Sequence, residues 1–283
     1  MEKPIITIIG TGMMGCSLAA SLNQHWQVVG VDTSPKNLCF ALEKGYIHEA
    51  LPMEMAVAIS NIVILATPAD VTLELVSSVL DAAGVHTVVM DFSSTKEVIC
   101  QGIADHPCRS KFVAAHPMTG SEKAGPQFAV PNLYEGKRIA ICESKKSSGK
   151  ALLAISKLIV ELKMSPFYLT PEQHDSIMAD ISHLPQATAF CLSNVIDGSE
   201  GILEWAGTGF ESTTRIAGST AEVWLPILFQ NKVNVTKGIR KLIENLEAAV
   251  DALESDNINA MQAIIIKANA LQNKVEQLKQ LKK

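Results

Sequence analysis

The segment that most constrains this chain is Ile5-Ile6-Thr7-Ile8-Ile9, followed at once by Gly10-Thr11-Gly12-Met13-Met14-Gly15. The first run is apolar and β-branched, the composition of a buried strand. The second is a Gly-x-Gly-x-x-Gly turn that opens a helical stretch from about Met14 to Asn23. A glycine triplet alone is weak evidence. Here a second strand, Gln27-Val28-Val29-Gly30-Val31-Asp32, ends on an acidic residue about twenty positions on, the spacing of a dinucleotide-binding unit.

Each residue of that unit has a physical task. Gly10 allows the tight turn, Gly12 lets the backbone approach a pyrophosphate, and Gly15 lets the helix pack on the strand. The N–H groups at the start of the helix, at Gly12, Met13 and Met14, then face the phosphates. Asp32 accepts hydrogen bonds from ribose hydroxyls and repels a 2′-phosphate, which selects NAD over NADP. Ala66-Thr67-Pro68 ends a later strand at the same sheet edge, so Thr67 and Pro68 are assigned to the nicotinamide side. Ser93, at the next strand end, joins this cofactor-contacting set.

The alternation continues through Ile62–Ala66, Thr87–Asp91, Phe112–Ala115 and Arg138–Ile141, each a short apolar run separated by helical or turn sequence. Such runs belong to a parallel sheet covered on both faces. The predicted fold is therefore α/β, a Rossmann-type doubly wound, mainly parallel sheet, with a second all-α domain. The character changes near Lys163-Met164-Ser165-Pro166, beyond which no strand is predicted. The expected domains are residues 1–165, binding NAD, and 166–283, helical, binding substrate and forming a dimer. Thr170-Pro171-Glu172 reads as an N-cap with proline at the first helical position, opening a helix to about Val195. Near the C-terminus Met261, Ile264, Ala268, Leu271, Val275 and Leu278 form an apolar stripe that must be covered, within its own domain or by a second subunit.

The 283 residues are sufficient for two cores. A formal charge of −5 argues against nucleic-acid partners, because phosphate binding needs a basic surface. No apolar run approaches the roughly 18–20 residues that span a bilayer, and the N-terminus lacks the zones of a signal peptide; a cytoplasmic, membrane-free protein is expected. Six scattered cysteines without a Cys-x-x-Cys pair suit neither a disulfide framework nor zinc, so they are read as reduced packing residues and no metal is expected.

Two clusters close successive strands at the carboxyl edge of the sheet: Asp91-Phe92-Ser93-Ser94-Thr95-Lys96 and Ala115-His116-Pro117-Met118-Thr119-Gly120-Ser121-Glu122. Removing hydride from an alcohol carbon needs a group to take up the hydroxyl proton, and a neutral histidine suits that task near pH 7. His116 is the candidate.

These residues resemble the prephenate/arogenate dehydrogenases of tyrosine biosynthesis: His-Pro-Met-x-Gly-x-Glu, preceded by Asp-x-x-Ser-x-Lys. The second half continues the resemblance with Pro171-Glu172-Gln173-His174-Asp175, Ile181-Ser182-His183-Leu184-Pro185, Gly209-Phe210-Glu211-Ser212-Thr213-Thr214-Arg215-Ile216-Ala217 and Trp224. The resemblance implies NAD-dependent oxidative decarboxylation of a small cyclohexadiene acid by a homodimer joined through its helical domain. It implies that His116 accepts the ring hydroxyl's hydrogen bond and Ser94 orients that hydroxyl or the nicotinamide. Arg215 then binds a substrate carboxylate through its planar fork, Ser182 and His183 face the cleft, and Glu122 is an acid near the entrance.

Two departures bear on the substrate. Where many prephenate-using relatives have a second histidine, this chain has Gln186; where a basic residue usually precedes the arginine, it has Glu211. Loss of a cation and gain of a carboxylate favour the ammonium-bearing substrate, so arogenate is expected to be accepted at least as well as prephenate. Two other readings share parts of the pattern. A β-hydroxyacid dehydrogenase or imine reductase would use a second-domain lysine, Lys232 or Lys237. A non-catalytic NAD-sensing dimeric scaffold would have no need of His116, Ser94 and Arg215 together.

Overall fold

The computed structural model describes residues 3–120, 123–196 and 201–280. Eight strands form one sheet: β1 (Ile5–Ile9), β2 (Gln27–Val31), β3 (Glu49–Ala50), β4 (Ile62–Leu65), β5 (Val88–Asp91), β6 (Phe112–Pro117), β7 (Arg138–Cys142) and β8 (Ser165–Leu169). Their spatial order is β3-β2-β1-β4-β5-β6-β7-β8. All neighbouring pairs are parallel except β6 and β7. The central strands are buried on both faces, so they read as unbroken apolar runs. Alternate residues supply the two cores: Ile6, Ile8, Ile62 and Ile64 pack on one side, Val63, Leu65 and Val89 on the other.

The register brings the strand ends to one edge. Ile9 lies beside both Val31 and Leu65, and Leu65 beside Asp91. The chain order reverses between β1 and β4, which is where open α/β sheets form their ligand crevice. Helices α1 (Met13–Leu22), α2 (Pro35–Glu43), α3 (Met53–Ile59), α4 (Ala69–Ala82), α5 (Glu97–Gly102) and α6 (Gly149–Glu161) connect the strands.

The sequence reading missed β3 and β8. Strand β8 straddles the expected boundary at 165/166 and pairs with β7 along its whole length. Its signal is weak because it is an edge strand. Ser165, Pro166 and Tyr168 are exposed, and a proline is tolerated in a sheet only at such a position.

Thr170 caps α7 (Pro171–Met178) and forms a reciprocal capping box with Gln173. The helical path reaches Val195 as expected, but not as one α-helix. A π turn, Ala179–His183, separates α7 from α8 (Leu184–Val195). Pro185 follows that turn and lacks the N–H an α-helical bond to Ile181 requires. Beyond lie α9 (Thr208–Thr214), a 3-10 turn Arg215–Gly218, α10 (Ala221–Gln230), α11 (Lys232–Glu254) and α12 (Ile258–Gln280). Chain contacts divide between Asn234 and Val235 into two compact units. On α12, Met261 and Ile264 are half-buried, whereas Ala268, Leu271, Val275 and Leu278 stand exposed. Cys16, Cys100 and Cys142 are buried packing residues; Cys39 and Cys191 are exposed, unlike the expected packing role. Among the described residues no helix is long and apolar enough to cross a membrane, and no cluster of three or more His, Cys, Asp or Glu could hold a metal.

Candidate active site

The glycine turn is shaped by steric necessity. Gly10 has a φ of +96°, and a Cβ there would lie 2.6 Å from the carbonyl oxygen of Ala66. A Cβ on Gly15 would lie 1.9 Å from the oxygen of Gly10 itself. Both positions therefore exclude a side chain. Gly12 caps α1 without any side-chain hydrogen bond, so the helix presents bare main-chain N–H groups at its start. Asp32 stands beside the turn: its Oδ2 accepts from the N–H and hydroxyl of Thr11 at 2.7 and 2.8 Å, and Oδ1 from the N–H of Ser34. The carboxylate thus shapes the turn beside which a ribose is expected.

A cavity of about 260 Å³ lies against this turn, lined by Gly12, Met13, Met14, Thr67, Pro68 and Ser93 among others. Ser93 Oγ is buried there with no hydrogen-bond partner among the described residues, an orphan that a bound ligand would satisfy. The absent side chains at Gly10 and Gly15, the bare helix start and this orphan fit a dinucleotide. Gly10, Gly15 and Asp32 support that cavity without lining it.

A larger cavity of about 530 Å³ shares Met13, Met14, Phe92, Ser94, Val223 and Ile227 with the first. Its wall brings together Ser94, His116, Ser182, Gln186 and Arg215, drawn from the loop after β5, β6, the π turn, α8 and the turn after α9. The π turn is what places Ser182 on this wall; such bulges recur at functional sites. Glu122 lies outside the described residues. His183 departs from expectation: it is fully buried and is not on the wall. Its Nδ1 meets Asn231 Nδ2 at 3.1 Å and its ring packs edge-on to Trp224, which does line the cavity. Glu211 is exposed on α9, also away from the wall. Gln186 lines the cavity and donates its amide to the carbonyl of Ile216.

The electrostatics beneath the site are elaborate. Lys96 and Asp91, both fully buried, form an ion pair. Asp91 also accepts the N–H of Ala115 and of Ser93, so it ties the end of β5 to β6. His116 is half-buried, and its Nδ1 lies 2.9 Å from Nε2 of His174. Burial, then the neighbouring His174, Lys96 and His183, holds the His116 pKa well below the ordinary histidine value. It is neutral at pH 7, as a hydrogen-bond acceptor must be. Sequence reasoning singled out the segment containing His174 but gave it no task. Its partner is 58 residues away on another element, and only the fold joins them.

An open α/β sheet with a glycine turn at its switch point, joined to a cavity carrying a neutral histidine and an arginine, defines a nicotinamide-dependent dehydrogenase. Residues 18–168 match the family model for the prephenate dehydrogenase nucleotide-binding domain, and residues 170–267 match that for the prephenate dehydrogenase dimerization domain. The chain belongs to the prephenate dehydrogenase family. It is 27% identical over 266 residues to the prephenate dehydrogenase of Bacillus subtilis, covering 90% of this chain and 71% of that protein. It is 23% identical over 262 residues to the cyclohexadienyl dehydrogenase of Zymomonas mobilis, covering 89% of each. Its structure superposes with a TM-score of 0.88 on prephenate dehydrogenase from Aquifex aeolicus, solved in complex with hydroxyphenyl propionate and NAD+. That match has 25% identity and covers 97% of this chain and 99% of the other.

Proposed function

We propose that this chain carries out the NAD-dependent oxidative decarboxylation of prephenate to 4-hydroxyphenylpyruvate, with arogenate, giving tyrosine, as the second substrate reading. The observation that carries the proposal is the convergence of His116, Ser94 and Arg215 on one cavity contiguous with the glycine-turn cavity. NAD, when bound, supplies the hydride acceptor. Gly12, Met13 and Met14 present N–H groups to its pyrophosphate, Asp32 faces its ribose, and Thr67, Pro68 and Ser93 flank the nicotinamide side. That the Aquifex relative was solved with NAD+ and a hydroxyphenyl acid supports this assignment.

The substrate's hydroxyl donates to His116 while the carbon bearing it gives up hydride with its electron pair. The bond from the ring to its carboxylate breaks, its electrons enter the ring, and carbon dioxide leaves. The hydroxyl proton is shared with His116 and stays with the phenol, so the step releases no net proton. Ser94 orients the hydroxyl, and Arg215 holds a carboxylate by two parallel hydrogen bonds. Apolar wall residues such as Met178 and Trp224 keep water from the developing aromatic ring.

The expectation that arogenate is accepted at least as well as prephenate rested on Gln186 and Glu211. Glu211 stands off the wall, and Arg215 is the sole formally charged residue among the described lining residues. The described part of the wall offers an ammonium group no carboxylate, so we place prephenate first. NADH absorbance with each substrate in turn decides between them, and a flat trace with both would favour the non-catalytic scaffold. Replacing His116 with Asn should lower turnover by roughly 100-fold or more while NAD binding survives; little loss would count decisively against this reading and for the lysine-dependent rivals. We also place the division of labour at about residues 165–170, with the helical part binding substrate and forming a homodimer; the match of residues 170–267 to a dimerization domain supports this.

A further inference from the structure

The segment Pro171–Asp175 meets the proposed base from behind, through a chain of hydrogen bonds whose direction is set at one end. Asp175 is almost fully buried. Its Oδ1 accepts the main-chain N–H of Lys96 at 2.8 Å, and its Oδ2 that of Glu97 at 2.9 Å. Burial alone would raise its pKa, but hydrogen bonds from His174 and from these N–H groups outweigh that and hold it below the usual carboxylate value. Asp175 is therefore an acceptor only. Its Oδ1 also lies 2.7 Å from His174 Nδ1, which must then carry the hydrogen. Burial keeps His174 neutral, its pKa lowered in spite of the opposing pull of Asp175. A neutral imidazole protonated at Nδ1 has a bare Nε2. That bare nitrogen lies 2.9 Å from His116 Nδ1 and must accept its hydrogen. The remaining nitrogen of His116, Nε2, is left as a lone-pair acceptor on the edge of the ring available to a substrate.

We propose that His174 is a positioning residue which, anchored by Asp175, fixes the tautomer of His116 so that Nε2 accepts the substrate hydroxyl. The inference rests on the role proposed above for His116. The alternative tautomer would place an N–H against the hydroxyl, offering a donor where the reaction needs an acceptor; enzymes that lose this orienting partner lose turnover rather than binding. The same anchor serves a second purpose. By accepting the N–H of Lys96 and Glu97, Asp175 also holds the loop between β5 and α5 that carries Ser94. Both groups facing the hydroxyl are therefore referenced to one buried carboxylate.

The test separates tautomer from fold. In the full-length protein labelled with 15N-histidine, long-range 1H–15N correlation spectra report which ring nitrogen is protonated; the His116 signals are identified by their loss in His116→Asn. The wild type is expected to show His116 protonated at Nδ1 and bare at Nε2. His174→Leu removes the acceptor and should give a mixed or reversed tautomer. Its kcat should be lowered roughly 100-fold, with the KM for prephenate and the affinity for NAD within about threefold of wild type. His174→Gln keeps an oxygen acceptor at this position and should recover about tenfold of the loss. A wild-type His116 protonated at Nε2 overturns the proposal, whatever the variants do, as does a His174→Leu enzyme with unchanged kcat. If His174→Leu does not fold, the wild-type spectrum and His174→Gln still decide. Retained turnover in His116→Asn would instead sink the role of His116 itself, a separate outcome.

Discussion

Gln186 donates its side-chain amide to the carbonyl oxygen of Ile216 at 2.7 Å, which ties α8 to the turn that begins with Arg215. The sequence comparison with relatives cast this glutamine as a substitute for a substrate-facing histidine. Its geometry makes it a brace for the arginine as well. The side chain is nearly fully buried, so the bond has no water to replace it cheaply.

Replacing Gln186 with Ala removes the brace and leaves the Ile216 carbonyl with the N–H of Ser219 alone, at a cost of about 1 kcal/mol. The expected result is a KM for prephenate raised about tenfold, with kcat within about threefold. Steady-state kinetics across a substrate series measures both. A kcat that collapses while KM holds would show that Gln186 acts on the reacting centre instead.

The glycine turn makes a sharper prediction. A Cβ at position 15 would lie 1.9 Å from the oxygen of Gly10, and that oxygen is main chain, which cannot swing aside. Gly15→Ala must push α1 off the turn and with it the N–H groups that would face the pyrophosphate. NAD affinity should fall by roughly 100-fold or more, and the melting temperature should drop. Gly12→Ala meets open space, so its fold should survive with any loss confined to the cofactor. Fluorescence titration with NAD and thermal melts of both variants give the comparison; equal cofactor affinity in Gly15→Ala and wild type would contradict the fit.

What could be read from the residues alone follows a physical pattern. Strands β1, β2, β4 and β5 were legible because a strand buried on both faces must be apolar throughout, and Gly10, Gly15 and Asp32 because chain geometry dictates them. Strand β8 was not, since an exposed edge carrying Pro166 imposes no such pattern. In the site, Ser94 and His116 were legible as strand ends, whereas Ser182, Gln186 and Arg215 needed resemblance to other sequences. The π turn that sets Ser182 on the wall, the retreat of His183 behind Trp224 and the link from His174 to His116 depend on helix phase and on contacts between distant segments. No local signal encodes those.

The buried histidines make stability depend on pH. In the unfolded chain each takes up a proton near pH 6.5. In the fold, burial holds His183 to about 4 despite the pull of Asp175, and His116 and His174 are also lowered, chiefly by burial. Below about pH 6.5 the unfolded state therefore binds more protons, and the fold loses up to about 1.4 kcal/mol per pH unit for each such histidine. For His183 the loss ends near pH 4. Asp175, lowered, contributes in the other window: its stabilisation is present above the ordinary carboxylate pKa and is lost only in stronger acid. Thermal melts should show the melting temperature falling steadily from pH 7 to pH 5, and a flat or rising profile would contradict the burial of neutral histidines.

The last prediction concerns α12. Leu271 and Leu278 are each more than half exposed in the single chain, and with the partly exposed Val275 they continue the stripe that starts at Met261 and Ile264. A helix in water does not keep such a face bare, since each large apolar side chain recovers roughly 1.5–3 kcal/mol on full burial. The match to a dimerization domain covers residues 170–267 and so runs into the first half of α12, which makes a second copy of the chain the partner we expect on the rest of the stripe. Leu271→Glu with Leu278→Glu should therefore shift the protein from dimer to monomer in light scattering, because it would place charges in an apolar contact. The glycine turn lies in the other compact unit, so NAD binding should persist in the monomer. A wild type that is monomeric at micromolar concentration would contradict the assignment, as would a double variant that remains dimeric.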